Sequence, residues 1–170
     1  MIMGTLHPHE DPIRRCLKVP EWPEWDQRLW VIIFQPGDIL DGDIGAGFHW
    51  KEATRQKYRK GYGRWLTFLI TTHQFDAAVA PTDRITPERV TAYMEQLRQD
   101  IAPWTVWGRV AELLAVAKAF APDHDWSWLR RIVRYLETNS QDSKNKQPRL
   151  RPAAEIAAWA YQRMDAIITN

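Results

Sequence analysis

A chain of 170 residues with 45% hydrophobic side chains has material for one ordinary domain and an appendage. Its single cysteine, Cys16, excludes an internal disulfide framework and fits a reducing compartment. No run approaches the roughly 18 apolar residues of a membrane span, and residues 1–17 carry His, Pro and acids where a signal peptide needs an apolar centre, so the sequence predicts a cytoplasmic protein.

The net charge of +2 is unevenly placed. Residues 1–50 hold four basic side chains against eight acidic ones, a balance of −4, and residues 51–170 hold nineteen against thirteen, a balance of +6. The cationic potential therefore belongs to the later segments.

Residues 1–18 have no periodicity. After Pro20 and Pro23 a short helical pattern places Trp25, Leu29, Trp30 and Ile33 on one side, and the Gly- and Asp-rich stretch 35–47 reads as a loop. A long helix is predicted over about 50–72. Its inner stripe holds Trp50, Thr54, Tyr58, Gly61, Trp65 and Phe68, with Tyr62 and Leu69 beside it. Gln56, Lys57, Arg59, Lys60 and Arg64 are assigned to the outer side, and residues 51–64 carry six basic side chains and one acid. Gly61 and Gly63 each cost about 1 kcal/mol relative to Ala in a helix interior. Close approach of another helix accounts for Gly61; the sequence offers no reason for Gly63.

Thr86-Pro87 predicts a helix start, a hydroxyl cap followed by Pro at the first helical position, with Val90, Tyr93, Met94 and Leu97 facing inward. A third helix begins near Pro103, its core face built from Val106, Val110, Leu113, Leu114 and Ala117, with Thr105, Arg109 and Glu112 on one exposed strip. A fourth runs from about Asp125, as N-cap, to Leu136. There Trp128, Leu129, Ile132, Val133 and Leu136 point inward, and Ser127, Arg130, Arg131 and Arg134 point out. Residues 138–151 form a basic linker, and 152–170 a terminal amphipathic helix burying Ile156, Trp159 and Ala160.

No catalytic constellation accompanies these helices. His7, His9, His49, His73 and His124 lack supporting metal-ligand spacing, no Gly-rich loop follows a strand, and no Ser or Cys occupies a nucleophile elbow. The sequence thus predicts no cofactor, metal or small-molecule substrate. The remaining signal is the set of basic helix faces, which phosphates reward through counterion release. Thr105 and Arg109, four residues apart, can anchor a phosphate and reach a base edge together. The ordinary alternative is a solvated polar face. Trp104 and Trp107 could stack on bases, although packing against a helix suits Trp107 better.

At these residues the chain resembles the N-terminal core-binding (SAM-like) domain of tyrosine recombinases, or phage-type integrases. The segments that carry the likeness are Thr54-Arg-Gln-Lys-Tyr58, Gly61-Tyr-Gly-Arg-Trp-Leu66, Ile85-Thr-Pro-Glu-Arg-Val-Thr-Ala-Tyr93, Ala102-Pro-Trp-Thr-Val-Trp-Gly-Arg-Val110 and Ala121-Pro-Asp-His-Asp-Trp-Ser-Trp-Leu-Arg-Arg131. Trp22-Pro-Glu-Trp-Asp26 is similar to the leader of some bacterial members.

The resemblance implies an all-α four-helix orthogonal bundle over 49–137, preceded by a leader, 1–48, with a short helix. After the linker, 152–170 resembles the start of a catalytic domain. It implies a bacterial, nucleoid-associated module that clamps double-stranded DNA with other protomers, as a homo-oligomer or with full-length recombinase. Thr54, Lys57, Thr105, Trp107 and Arg109 would face the duplex, and Lys144, Lys146 and Arg149 would track phosphates. His-x-x-Arg is absent and no tyrosine has a nucleophile's surroundings, so the chain is expected not to cleave DNA and not to act as an enzyme. The alternative is a non-enzymatic helical protein-interaction domain that modulates recombinase assembly.

Overall fold

Two helix starts follow directly from local chemistry. Thr86 Oγ1 accepts from the Arg89 amide at 3.3 Å and Pro87 opens the helix, while Pro103 opens the next one. The computed structural model describes residues 16–37 and 45–141. Among them there is a 3-10 turn, Val19–Glu21, and five α-helices, with no strand: α1 (Glu24–Ile32), α2 (Glu52–Thr71), α3 (Pro87–Asp100), α4 (Pro103–Phe120) and α5 (Ser127–Gln141).

α2 ends with His73 in the left-handed region, φ 56°. The His73 amide donates to Ile70 O and the Gln74 amide to Leu69 O, the paired bonds that close a helix on such a residue. Before α5, Asp125 accepts from the Ser127 amide at 2.9 Å and from its hydroxyl at 3.1 Å. Asp125, predicted from sequence as the N-cap, therefore sits one position ahead of it, at the residue before Trp126. α5 runs on through 138–141, where the sequence predicts the linker to have begun.

α4 is the central element, packed against α2, α3 and α5. Val106, Val110, Leu113, Val116 and Ala117 of α4 are buried with Trp65, Leu66, Phe68 and Leu69 of α2, Val90 and Tyr93 of α3, and Leu129 and Leu136 of α5. Each such aliphatic side chain contributes about 1.5–3 kcal/mol when fully buried. Trp22, Trp30 and Ile33 join the same cluster, so the predicted leader shares its core with the bundle. Trp22 meets Trp30 at 5.4 Å and Tyr62 at 5.1 Å, edge to face, and Trp30, Phe34, Trp50 and Tyr58 continue the aromatic contacts onto α2.

Two tryptophans also hold turns by the same device. Trp22 Nε1 donates to Leu17 O and Trp126 Nε1 to Ala121 O, each at 2.9 Å and five residues back. One α1 assignment is overturned: Trp25 is 47% exposed, and Asp26 is buried in its place. An apolar period does not reveal this, because Asp26 is held by charge partners far along the chain.

Candidate nucleic-acid interface

Thr105, Arg109, Glu112 and Val116 recur along one side of α4 at steps of three and four. The sequence reading of the first three as an exposed strip does not hold. Val116 is fully buried and Glu112 is 7% exposed, because this side meets α2. Gly61 makes the approach possible: a Cβ there would meet Glu112 Cβ at 2.6 Å and Oε2 at 2.5 Å. The helix approach inferred for Gly61 is thus met by Glu112. Gly63 answers to the leader, since its Cβ would meet the Leu17 carbonyl oxygen and, at 2.8 Å, Cys16 Sγ.

Arg64, assigned from sequence to the outer side of its helix, is half-buried in the α2–α4 seam. Its Nη1 stands 3.8 Å from Glu112 Oε2, and Arg109 Nη1 stands 3.5 Å from the same oxygen. Arg109 is consequently ion-paired, with 24% of its side chain exposed, and not a freely extended base reader. Burial first, then the neighbouring Arg109 charge, pulls the Arg64 guanidinium below the ordinary arginine value.

Cys16 lies within the field of the nearby cations. Its thiol donates to the Lys60 carbonyl at 3.0 Å, and burial raises its pKa above the usual thiol value. Four positive charges oppose that shift: Arg64, Arg109, Lys60 and Arg59. Cations from both α2 and α4 therefore act on one point. Of the other predicted site residues, Lys57 is exposed, and Thr54 and Thr105 are half-buried on the facing helices. Trp107 lies 4.2 Å from Trp104, ring centre to ring centre, and packs on the core; its indole N–H is buried without a hydrogen-bond partner. Lys144, Lys146, Arg149 and the predicted helix 152–170 lie outside the described residues.

A cleft of about 300 Å³ opens beside this cluster, between α2, α3 and α4. Arg64, Arg109, Tyr93 and Gln96 are among its polar lining residues, and Phe68, Leu97 and Ile101 among the apolar ones. The Tyr93 hydroxyl is buried and has no hydrogen-bond partner. Burial pushes its pKa upward, against the pull of Arg109 and Arg64.

Sequence reasoning missed this hydroxyl and assigned Tyr93 only to the core. It also missed a second charged cluster, fully buried, in which Arg84 Nη1 bonds Asp26 Oδ1 and Oδ2 at 3.0 and 2.9 Å. Tyr62 donates to Asp26 Oδ1 at 2.6 Å, Arg84 Nε donates to Asp76 O, and the guanidinium lies over the Phe75 ring. Desolvation, then the Asp26 charge, drives the Tyr62 pKa well above the usual phenol value. The outward row on α5 stands as predicted, with Arg130, Arg131 and Arg134 all exposed.

Among the described residues no group of three potential ligands could hold a metal ion, and no helix is long and apolar enough to cross a membrane. Compared with protein-family models, curated proteins and solved structures, the chain matches none.

Proposed function

We propose that this chain is the DNA-clamping module of a tyrosine recombinase, its helices arranged as the orthogonal bundle of the family's core-binding domain. The observation that carries the reading is the α2–α4 seam, where Arg64 and Arg109 stand 3.8 and 3.5 Å from one Glu112 oxygen and Arg59 and Lys60 lie exposed on the preceding turn of α2. Polyanionic duplex rewards such a cluster by releasing condensed counterions. Lys57 extends the face along α2 and Thr105 along α4, each one helical turn from a member of the cluster. The segments of resemblance over 54–66 and 102–110 lie on α2 and α4, and those over 85–93 and 121–131 run from the preceding turns into α3 and α5. Phosphoryl transfer would belong to another part of the recombinase, and this module would supply affinity and protomer contacts.

Duplex titrations between about 50 and 200 mM salt test the reading. Phosphate-dominated binding weakens steeply over that range, roughly 10³–10⁵-fold for six to ten contacts. Absence of duplex binding at the lowest salt would remove the proposal.

A second reading, a helical protein-interaction domain that modulates recombinase assembly, draws support from α1. Trp25, Val31 and Ile32 stand exposed there, an apolar group at the surface. Chromatography with a full-length tyrosine recombinase separates the two: co-elution without DNA favours the second, and independent elution counts against it.

A further inference from the structure

The cleft between α2, α3 and α4 carries an imbalance of charge and hydrogen bonding. Arg64 and Arg109 share a single oxygen of a single carboxylate at 3.8 and 3.5 Å. Charge-assisted N–H···O bonds close to about 2.7–2.9 Å, so neither guanidinium is well bonded by Glu112. Beside them the Tyr93 hydroxyl is buried and unpartnered, whereas buried polar groups are nearly always paired. All three side chains line the same open volume of about 300 Å³, and a water molecule's share of liquid is only about 30 Å³. Two positive charges share one carboxylate oxygen beside this space, and an idle donor is buried in its wall. The cleft is one anion short.

We infer that this cleft is an oxyanion site that takes a phosphate group, held between the Arg64 and Arg109 guanidinium forks and by the Tyr93 O–H. Planar guanidinium groups match pairs of phosphate oxygens, and the phenol supplies a further donor. Thr67 and Thr71 line the cleft but already donate their hydroxyl protons to Gly63 O and Thr67 O. Asp100 is the one acid in the lining; it is exposed at the last turn of α3, where solvent and salt screen it.

The phosphate can come from a free ester or from the backbone of a bound duplex. In the second case the inference deepens the proposed function and rests on it.

The test uses the full chain and inorganic phosphate, titrated at constant ionic strength and followed by amide chemical shifts. Saturable binding is expected, with the largest shifts around residues 64, 93 and 109. Tyr93→Phe keeps the ring and removes only the hydroxyl; it and Arg109→Gln are each expected to weaken phosphate about tenfold or more, as befits a bond to a charged group. Phosphate that displaces duplex assigns the group to the DNA backbone; phosphate that binds beside duplex supports a separate small-anion site. If phosphate binds and duplex does not, the cleft stands and the recombinase reading falls. If duplex binds while both folded variants hold phosphate and duplex as tightly as the parent, the cleft proposal is overturned and the recombinase reading survives. Phosphate shifts that never saturate also overturn it.

Discussion

The two charged clusters of this molecule use the same side chains to opposite ends. At Asp26, Arg84 and Tyr62 the charges are paired at close range: Arg84 Nη1 bonds both Asp26 oxygens at 2.9 and 3.0 Å, and Tyr62 donates at 2.6 Å. Both charged side chains are 0% exposed, with Arg84 Nη2 left as the one unpaired nitrogen of that guanidinium. At Glu112, Arg64, Arg109 and Tyr93 the geometry is open: long contacts, a spare positive charge and a hydroxyl with nothing to bond. A buried cluster whose opposite charges meet at close range fastens the fold. One left incomplete at a cleft is disposed to bind something else.

Breaking the buried cluster should give the largest effect. Asp26→Asn leaves Arg84 charged and buried without its counter-ion, and should cost about 3–5 kcal/mol of stability in a urea titration. A change below about 1 kcal/mol would mean that the cluster is not what ties α1 to the rest.

The two phenols sharpen the contrast. Tyr62→Phe removes a donor to a buried carboxylate and should cost about 1.5–3 kcal/mol, whereas Tyr93→Phe removes an idle hydroxyl and should be neutral or slightly stabilising. Equal losses would show that the Tyr93 hydroxyl has a partner after all.

Alkaline titration follows from the same pair. Both tyrosines have folded pKa values raised above the ordinary 10.0, chiefly by burial. Above that value the unfolded chain releases a proton that the folded chain retains. The stabilisation is complete below the unfolded pKa and is lost as pH rises, by about 1.4 kcal/mol per pH unit for each group. Stability should therefore fall from about pH 10 upward, and Tyr62→Phe should flatten the slope; an unchanged slope would contradict the assignment.

Glycine substitutions at the seam should be smaller still. Gly61→Ala gains about 1 kcal/mol of helix propensity but drives a methyl into Glu112, for a net loss of about 1 kcal/mol. Gly108→Ala meets nothing within 4 Å and should stabilise by up to about 1 kcal/mol. Calorimetry that gave both the same sign would argue against a tight α2–α4 approach.

How much of this was legible in the sequence depended on range. Thr86-Pro87 announces α3 through chemistry confined to four residues, and the apolar periods of α2, α4 and α5 identify their inner faces. Gly61 signalled a neighbour because its cost within a helix needs a reason. Glu112 misled, since periodicity assigns a charged residue to the surface whenever its partners are unseen. Arg64 supplies one of those partners from 48 positions away. Asp26 and Arg84 are 58 apart, and neither lies in a pattern that marks it as buried. Gly63 needs Leu17, and Cys16 needs Lys60 44 residues on; only the folded chain brings them together.

The open cluster's role is tested most directly by titrating duplex DNA against the parent chain and Arg109→Gln over one salt series, with melting temperatures in parallel. Arg64 remains to pair Glu112, so melting should shift little. The plot of log affinity against log salt should lose about 0.9 of its slope for the one phosphate contact removed, and binding at low salt should weaken. Identical affinity and slope in the folded variant would contradict the account.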